Sequence, residues 1–295
     1  MVQYAIDNLF SDQYEIAGYS TPLHTKTIKT AAIADHSVRA EVGSDTLTTG
    51  AGITNANGKN NLYFPVPTGQ TWTTIGALVT VRNTLTTTVN GGGLVELTCD
   101  GVNWTPCDFY TNDQTALTST STGGLQAMPL FIPLWKPVPS NSIARAYYTA
   151  DNAATDELTI TLYVSEKPFN GKQTYIKTSK GTAVTQITIS SNHVTMTPSP
   201  TLNGTIQGFL SQGFPALETI VTSGGIIVCK APDLQCDQFQ WNTNGVTCIG
   251  AGAINLEVQK IVCYAPYKAN AAVNFDFLPT DNQSQYMKVS TVFLA

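Results

Sequence analysis

The clearest pattern in the chain is strict alternation of apolar and polar positions. In "TWTTIGALVTVRN", Ala77, Val79 and Val81 point one way and Leu78, Thr80 and Arg82 the other. In "DELTITLYVSE", Leu158, Ile160, Leu162 and Val164 alternate with Glu157, Thr159, Thr161 and Tyr163. A period of two is that of a half-buried strand. Shorter runs of the same texture occur at about 25–33 and 36–42, and in "LVELTC", "MPLFIPLWKPV" and "SIARAYYTA". Beyond "KPFNGKQ" at 167–173 lie "GTAVTQITISSNHVTMTPSPTLNGTIQGF", "GGIIVCKAPDLQCDQFQW", "GVTCIGAGAINLEVQKIVCYAPY", "AAVNFDFL" and "QYMKVSTVFLA". Turn signals such as "VPTGQ", "NGGG" and Asp100-Gly101 punctuate them. Many short strands between turns predict an all-β sandwich or barrel. Only "SQGFPALETIVTS" at 211–223 has any helical character, and residues 1–20 read as an N-terminal arm.

Composition sharpens this picture. The 295 residues include 43 Thr, and only 12% are charged, about half the usual share. Threonine is stiff at χ1 and suits a pleated surface. The net charge of −5 argues against nucleic-acid binding, which calls for a basic stripe. The apolar runs are too short to span a bilayer as helices. The N-terminus lacks a basic region, and Asp7 breaks its first apolar run, so no signal peptide is expected.

The cysteines raise a register question. A two-residue turn at Asp100-Gly101 would place Cys99 opposite Val102 and Cys107 opposite Leu94. The two thiols would then lie about 16 Å apart on opposite faces, outside disulfide range. A Cys99–Cys107 bond would instead need "DGVNWTP" to be one wide loop. In "CKAPDLQC", a turn at Pro232-Asp233 brings Cys229 opposite Cys236, within bonding range. Cys248 and Cys263 do not pair by register. No C-x2-C knuckle supports zinc.

Candidate chemistry is sparse. The three histidines stand apart, and no nucleophile elbow, phosphate loop or dinucleotide fingerprint is present. Loop pairs such as Asn112-Asp113 and Asp281-Asn282 lack EF-hand spacing for calcium. No catalytic, cofactor or metal residues are assigned, and no enzyme, small-molecule substrate or cofactor is expected. Trp72, Trp104, Trp135 and Trp241 are candidates for stacking on sugar rings, which would suit a carbohydrate- or receptor-binding spike or a secreted lectin. The alternative for each is a core or barrel-end aromatic. Trp104, facing Leu97 in the tight-turn register, favours packing.

The run "YFPVPTGQTWTTIGALVTVRN" followed by "GGGLVELTCDGVNWTP" resembles the texture of viral jelly rolls. With its length and its Thr, Asn and Gly richness, the chain resembles the larger major capsid protein of tailless icosahedral Thermus phages with an internal membrane. That resemblance implies a thermophilic bacteriophage virion protein, made in the host cytoplasm and released by lysis. It also implies a jelly-roll base bearing a second, smaller, turret-like β-barrel. Such a subunit co-assembles with a second, smaller capsid protein over a lipid vesicle. An isolated C-terminal strand must find a sheet to join. The expected organisation is therefore an arm at 1–20, a base of 21–171 plus 265–295, and an inserted barrel at 172–264. The rival is two sequential jelly rolls divided near 170, the C-terminal strand closing the second.

Overall fold

The computed structural model describes residues 23–31, 40–41, 62–83, 92–116, 125–126, 129–150, 156–184, 188–215, 224–231, 239–243, 253–256, 258–280 and 285–295. Regular structure among them is entirely β. The first half contributes β1 (Leu23–Ala31), β2 (Ala40–Glu41), β3 (Leu62–Tyr63), β4 (Thr71–Asn83), β5 (Gly93–Cys99) and β6 (Asp108–Tyr110). It continues with β7 (Asp113–Ala116), β8 (Leu125–Gln126), β9 (Leu130–Pro139), β10 (Ile143–Ala150) and β11 (Asp156–Pro168). The second half contributes β12 (Thr174–Lys180), β13 (Ser190–Met196), β14 (Gly204–Pro215), β15 (Gly225–Lys230) and β16 (Phe239–Asn242). It ends with β17 (Ala253–Leu256), β18 (Gln259–Tyr267), β19 (Val273–Pro279) and β20 (Gln285–Leu294).

Strand order identifies the architecture. In the first half one sheet runs β1-β11-β4, with β8 and β9 sharing the far side of β4. The facing sheet runs β10-β5-β6, with β2 and β3 sharing the outer side of β10. In the second half the sheets run β12-β20-β14-β18 and β13-β19-β15-β16. If each split strand is taken as one and β7 and β17 are set aside, both halves read first-eighth-third-sixth and second-seventh-fourth-fifth. That is the jelly roll, two antiparallel sheets wound as paired Greek keys.

The alternating strands place their apolar sets as expected. Ala77, Val79, Val81, Leu158, Ile160, Leu162 and Val164 are at most 1% exposed and line the first core. The second core is aromatic, built around Phe209, Trp241, Phe275, Phe277 and Phe293. Strand β9 carries Pro133, Pro137 and Pro139, which lack ladder donors, and it lies at a sheet edge as proline requires.

Three expectations need correction. Strand β20 pairs with β12 on one side and β14 on the other, so it does not return to the first sandwich. The inserted-barrel arrangement, with 265–295 rejoining a base, therefore gives way to the sequential one. The cause is the two-sided burial of β20. Met287, Val289 and Phe293 enter the second core while Val292 packs into the first, so the strand is central rather than a stray edge. Residues 211–215 of the helical candidate belong to β14. Its remainder, 216–223, lies outside the described residues, as does the arm at 1–20.

The hairpin after β5 also differs. Glu96 pairs with Asp108, and the Leu97 amide donates to the Cys107 carbonyl. Residues 100–106 therefore form one wide loop rather than a two-residue turn. Burial of Trp104, only 1% exposed, outweighs the Asp-Gly turn preference. Its indole N–H donates to the Pro137 carbonyl at 2.9 Å.

Candidate functional site: the seam between the sandwiches

The concentration of ionisable and polar side chains away from solvent is where the two sandwiches meet. Strand β12 enters between β9 of one first-half sheet and β6 of the other. The Trp135 amide donates to Thr174 Oγ1 at 3.1 Å, and the Ile176 amide donates to the Pro106 carbonyl at 3.1 Å. Cys107 and Ile176 form a parallel bridge. Alternation along β12 explains the double attachment: Tyr175 belongs to the second core and Ile176 to the first. The sheet containing β12, β20 and β14 is thus covered on both faces.

Charged groups line this seam. Lys136 is fully buried, donates to the Trp104 carbonyl at 2.7 Å and lies 3.9 Å from the Tyr175 ring centroid. Burial pulls its pKa down to about 8, with nearby Cys107 opposing. Lys288, 1% exposed, lies 4.7 Å from the Tyr110 ring centroid. Asp108 accepts from the Thr178 amide at 3.2 Å and has Lys177 at 3.6 Å. The Thr178 hydroxyl donates to the Asp108 carbonyl and lies 2.7 Å from Ser290 Oγ. Burial pushes the Asp108 carboxyl up to about 6, against the pull of Lys177 and Thr178.

A second attachment lies further along. Strands β7 and β17 pair as a two-stranded ribbon, Asp113 opposite Leu256 and Ala116 opposite Ala253. Each comes from the connection between the fifth and sixth strands of its own jelly roll, so equivalent loops clasp one another. Asn112 Oδ1 accepts from the Val258 amide at 2.7 Å beside it. This role makes Asn112 part of the joint between sandwiches.

The sequence-derived candidates are distributed differently. Trp72, Trp104 and Trp241 are enclosed in the cores. Trp241 stacks on Phe209 with 7° between planes and donates to Ser211 Oγ at 2.8 Å. Trp135 is only partly buried. It borders a cleft of about 60 Å³ with Thr73, Ile75, Ser165, Lys167, Pro168 and Asn170, room for a few waters. Cys229 is buried on β15 opposite Phe239 and Phe275. Cys236 and Cys248 lie outside the described residues. Among the described residues no helix is long and apolar enough to cross a membrane, and no group of three His, Cys, Asp or Glu side chains could hold a metal.

Cys99 and Cys107 are both buried free thiols. Burial pushes each up to about 11. Since the thiolate is the reactive form, neither should react with an aqueous thiol reagent at pH 8 in the native protein, and both should react rapidly after denaturation. Peptide mapping of the labelled protein checks this; rapid native labelling of either would contradict the burial.

No protein-family model matches the chain, and neither does any curated protein. Among solved structures, PBCV-1 VP54 fitted into a cryo-EM reconstruction of the virophage Sputnik is similar at 10% identity and a TM-score of 0.40. That alignment covers 97% of this chain and 96% of that one. PNGF-II is similar at 9% identity and a TM-score of 0.41, over 97% of this chain and 67% of that one. The infectious bursal disease virus Gx strain structure aligns at 9% identity and a TM-score of 0.20, over 92% and 72%. Likenesses this remote carry no assignment; strand order within the chain defines the fold.

Proposed function

We propose that this chain is the structural subunit of a viral shell, built from two jelly rolls in tandem and assembling with copies of itself. The observation that carries the reading is the repeated jelly-roll order in two halves that share a doubly covered sheet. A jelly roll holds its strands in packed sheets and leaves end loops free to meet neighbours. Two joined side by side present a longer lateral perimeter than one. A chain that is only 12% charged loses little to desolvation when that perimeter is covered. Exposed Val262 and Tyr264 on edge strand β18 suit such contacts. The subunit is non-enzymatic in this reading and resides in the virion. The finer features, a second smaller capsid protein, an underlying lipid vesicle and a thermophilic phage source, rest on the family resemblance alone.

Electron microscopy of particles from the native source tests the proposal. Hundreds of copies tiling each particle are expected. A few copies confined to vertices would replace it with the spike reading, which the part-exposed Trp135 favours. Absence from particles altogether would end both.

A further inference from the structure

We propose that Asp108, held between Lys177 and Thr178, is a proton-responsive latch in the seam, tightening when its carboxyl takes up a proton. This inference concerns the joint between the two sandwiches and does not depend on the shell reading. The geometry is that of a switch. The carboxylate sits on a short strand of the first sandwich, and its partners come from a strand of the second, which is tied in turn to a neighbouring strand. Thr178 and Lys177 are on β12, and Ser290, next to the Thr178 hydroxyl, is on β20. Any change in charge at Asp108 is therefore felt across the joint.

The groups facing it come from every packed element. Glu96 lies opposite on β5 and adds like charge. Lys177 from β12 is the facing cation, at 3.6 Å, and is half in solvent. Cys107 precedes Asp108 on the chain, with Lys136 of β9 close enough to act on the thiol. Lys288 of β20 lies over Tyr110, two residues further on. Lys177 meets the carboxylate in an ion pair, and water weakens that pairing because the lysine is part-exposed. Asp108 itself is 8% exposed. Its charge is thus poorly compensated where it is buried, while its neutral form keeps the Thr178 contact.

The sign follows. The folded carboxyl titrates near 6, above its ordinary 3.8, so the folded protein holds this proton more tightly than the unfolded chain does. The resulting stabilisation is fully present below about pH 4 and is lost as pH rises through about 6. Lys136, lowered from 10.5 to about 8, acts in a separate window. Its contribution is present above about 10.5 and lost as pH falls through about 8. The two can therefore be measured independently.

The test is urea unfolding of the full chain across pH 4–8, for the wild type, Asp108→Asn and Lys177→Met. The wild type should lose on the order of 100-fold in its folding constant relative to Asp108→Asn between pH 4 and 7. Lys177→Met should move the midpoint of that loss upward, because the opposing cation is gone. Hydrogen exchange at the Thr178 and Ile176 amides, corrected for intrinsic rates, should be slower at pH 5 than at pH 7. Superimposable wild-type and Asp108→Asn profiles, or an unmoved midpoint in Lys177→Met, would overturn the proposal. Should Asp108→Asn fail to fold, carboxyl-carbon NMR of the wild type decides: a midpoint near 6 supports the latch and one near 4 refutes it.

Discussion

Replacing Trp104 with Ala should destabilise the protein by about 3–5 kcal/mol, the usual cost of emptying a large aromatic site. Three features place it at the top of that range. The indole is 1% exposed, so little of the void can be filled by water. Its N–H bond to the Pro137 carbonyl is lost, which leaves a buried acceptor. Its own carbonyl holds the Lys136 ammonium, so any loop shift removes the main partner of a buried cation. Urea denaturation gives the value. A loss below about 1 kcal/mol would mean that the loop does not depend on Trp104.

Phe275→Ala should cost a similar amount, about 3–5 kcal/mol, in the other sandwich. Phe275 is fully buried and meets Phe209 edge-on at 5.5 Å and Trp241 at 6.3 Å. Such edge-to-face pairs add roughly 0.5–1.5 kcal/mol beyond area burial. The informative result is the form of the transition. Ile176, Leu210, Val258 and Val292 of the second half pack into the first core. Trp104→Ala and Phe275→Ala should therefore both shift one cooperative transition seen by calorimetry. Two separable transitions, each responding to one variant, would show that the sandwiches unfold independently.

These expectations show where pattern reading succeeds and where it fails. Strands β4 and β11 were legible because each turns one face to a core and the other to a less buried surface, so their period of two survives in the residues. Strand β20 was not. It is covered on both faces, and Lys288 and Ser290, which look solvent-facing, point into the seam. Domain organisation was misread for that reason. The register after β5 was misread because a local turn signal was set against a long-range demand, the burial of Trp104, that no local window contains. Lys136 stood in plain view within "PLFIPLWKPV", a lysine amid apolar neighbours, which is the kind of signal that marks a buried cation. Asp108 offered less, since the hydrogen bond and cation that hold its carboxylate come from β12, 70 residues away.

The position of β20 has a consequence for the order in which the chain can form. In the sheet β12-β20-β14-β18, the eighth strand of the second jelly roll lies between two made long before it. Until it emerges from the ribosome, β12 and β14 have no common partner, and their inward edges stay open. The same holds in the first half, where β11 lies between β1 and β4. Each half thus closes only when its eighth strand slides into a waiting slot. The first can do so while the second is still being translated, but β12, β14 and the seam they build must wait for residues 285–294. During that interval the open slot would accept a matching strand from another nascent chain, so neighbouring ribosomes on one message are where exchanged, interlocked pairs of subunits would arise.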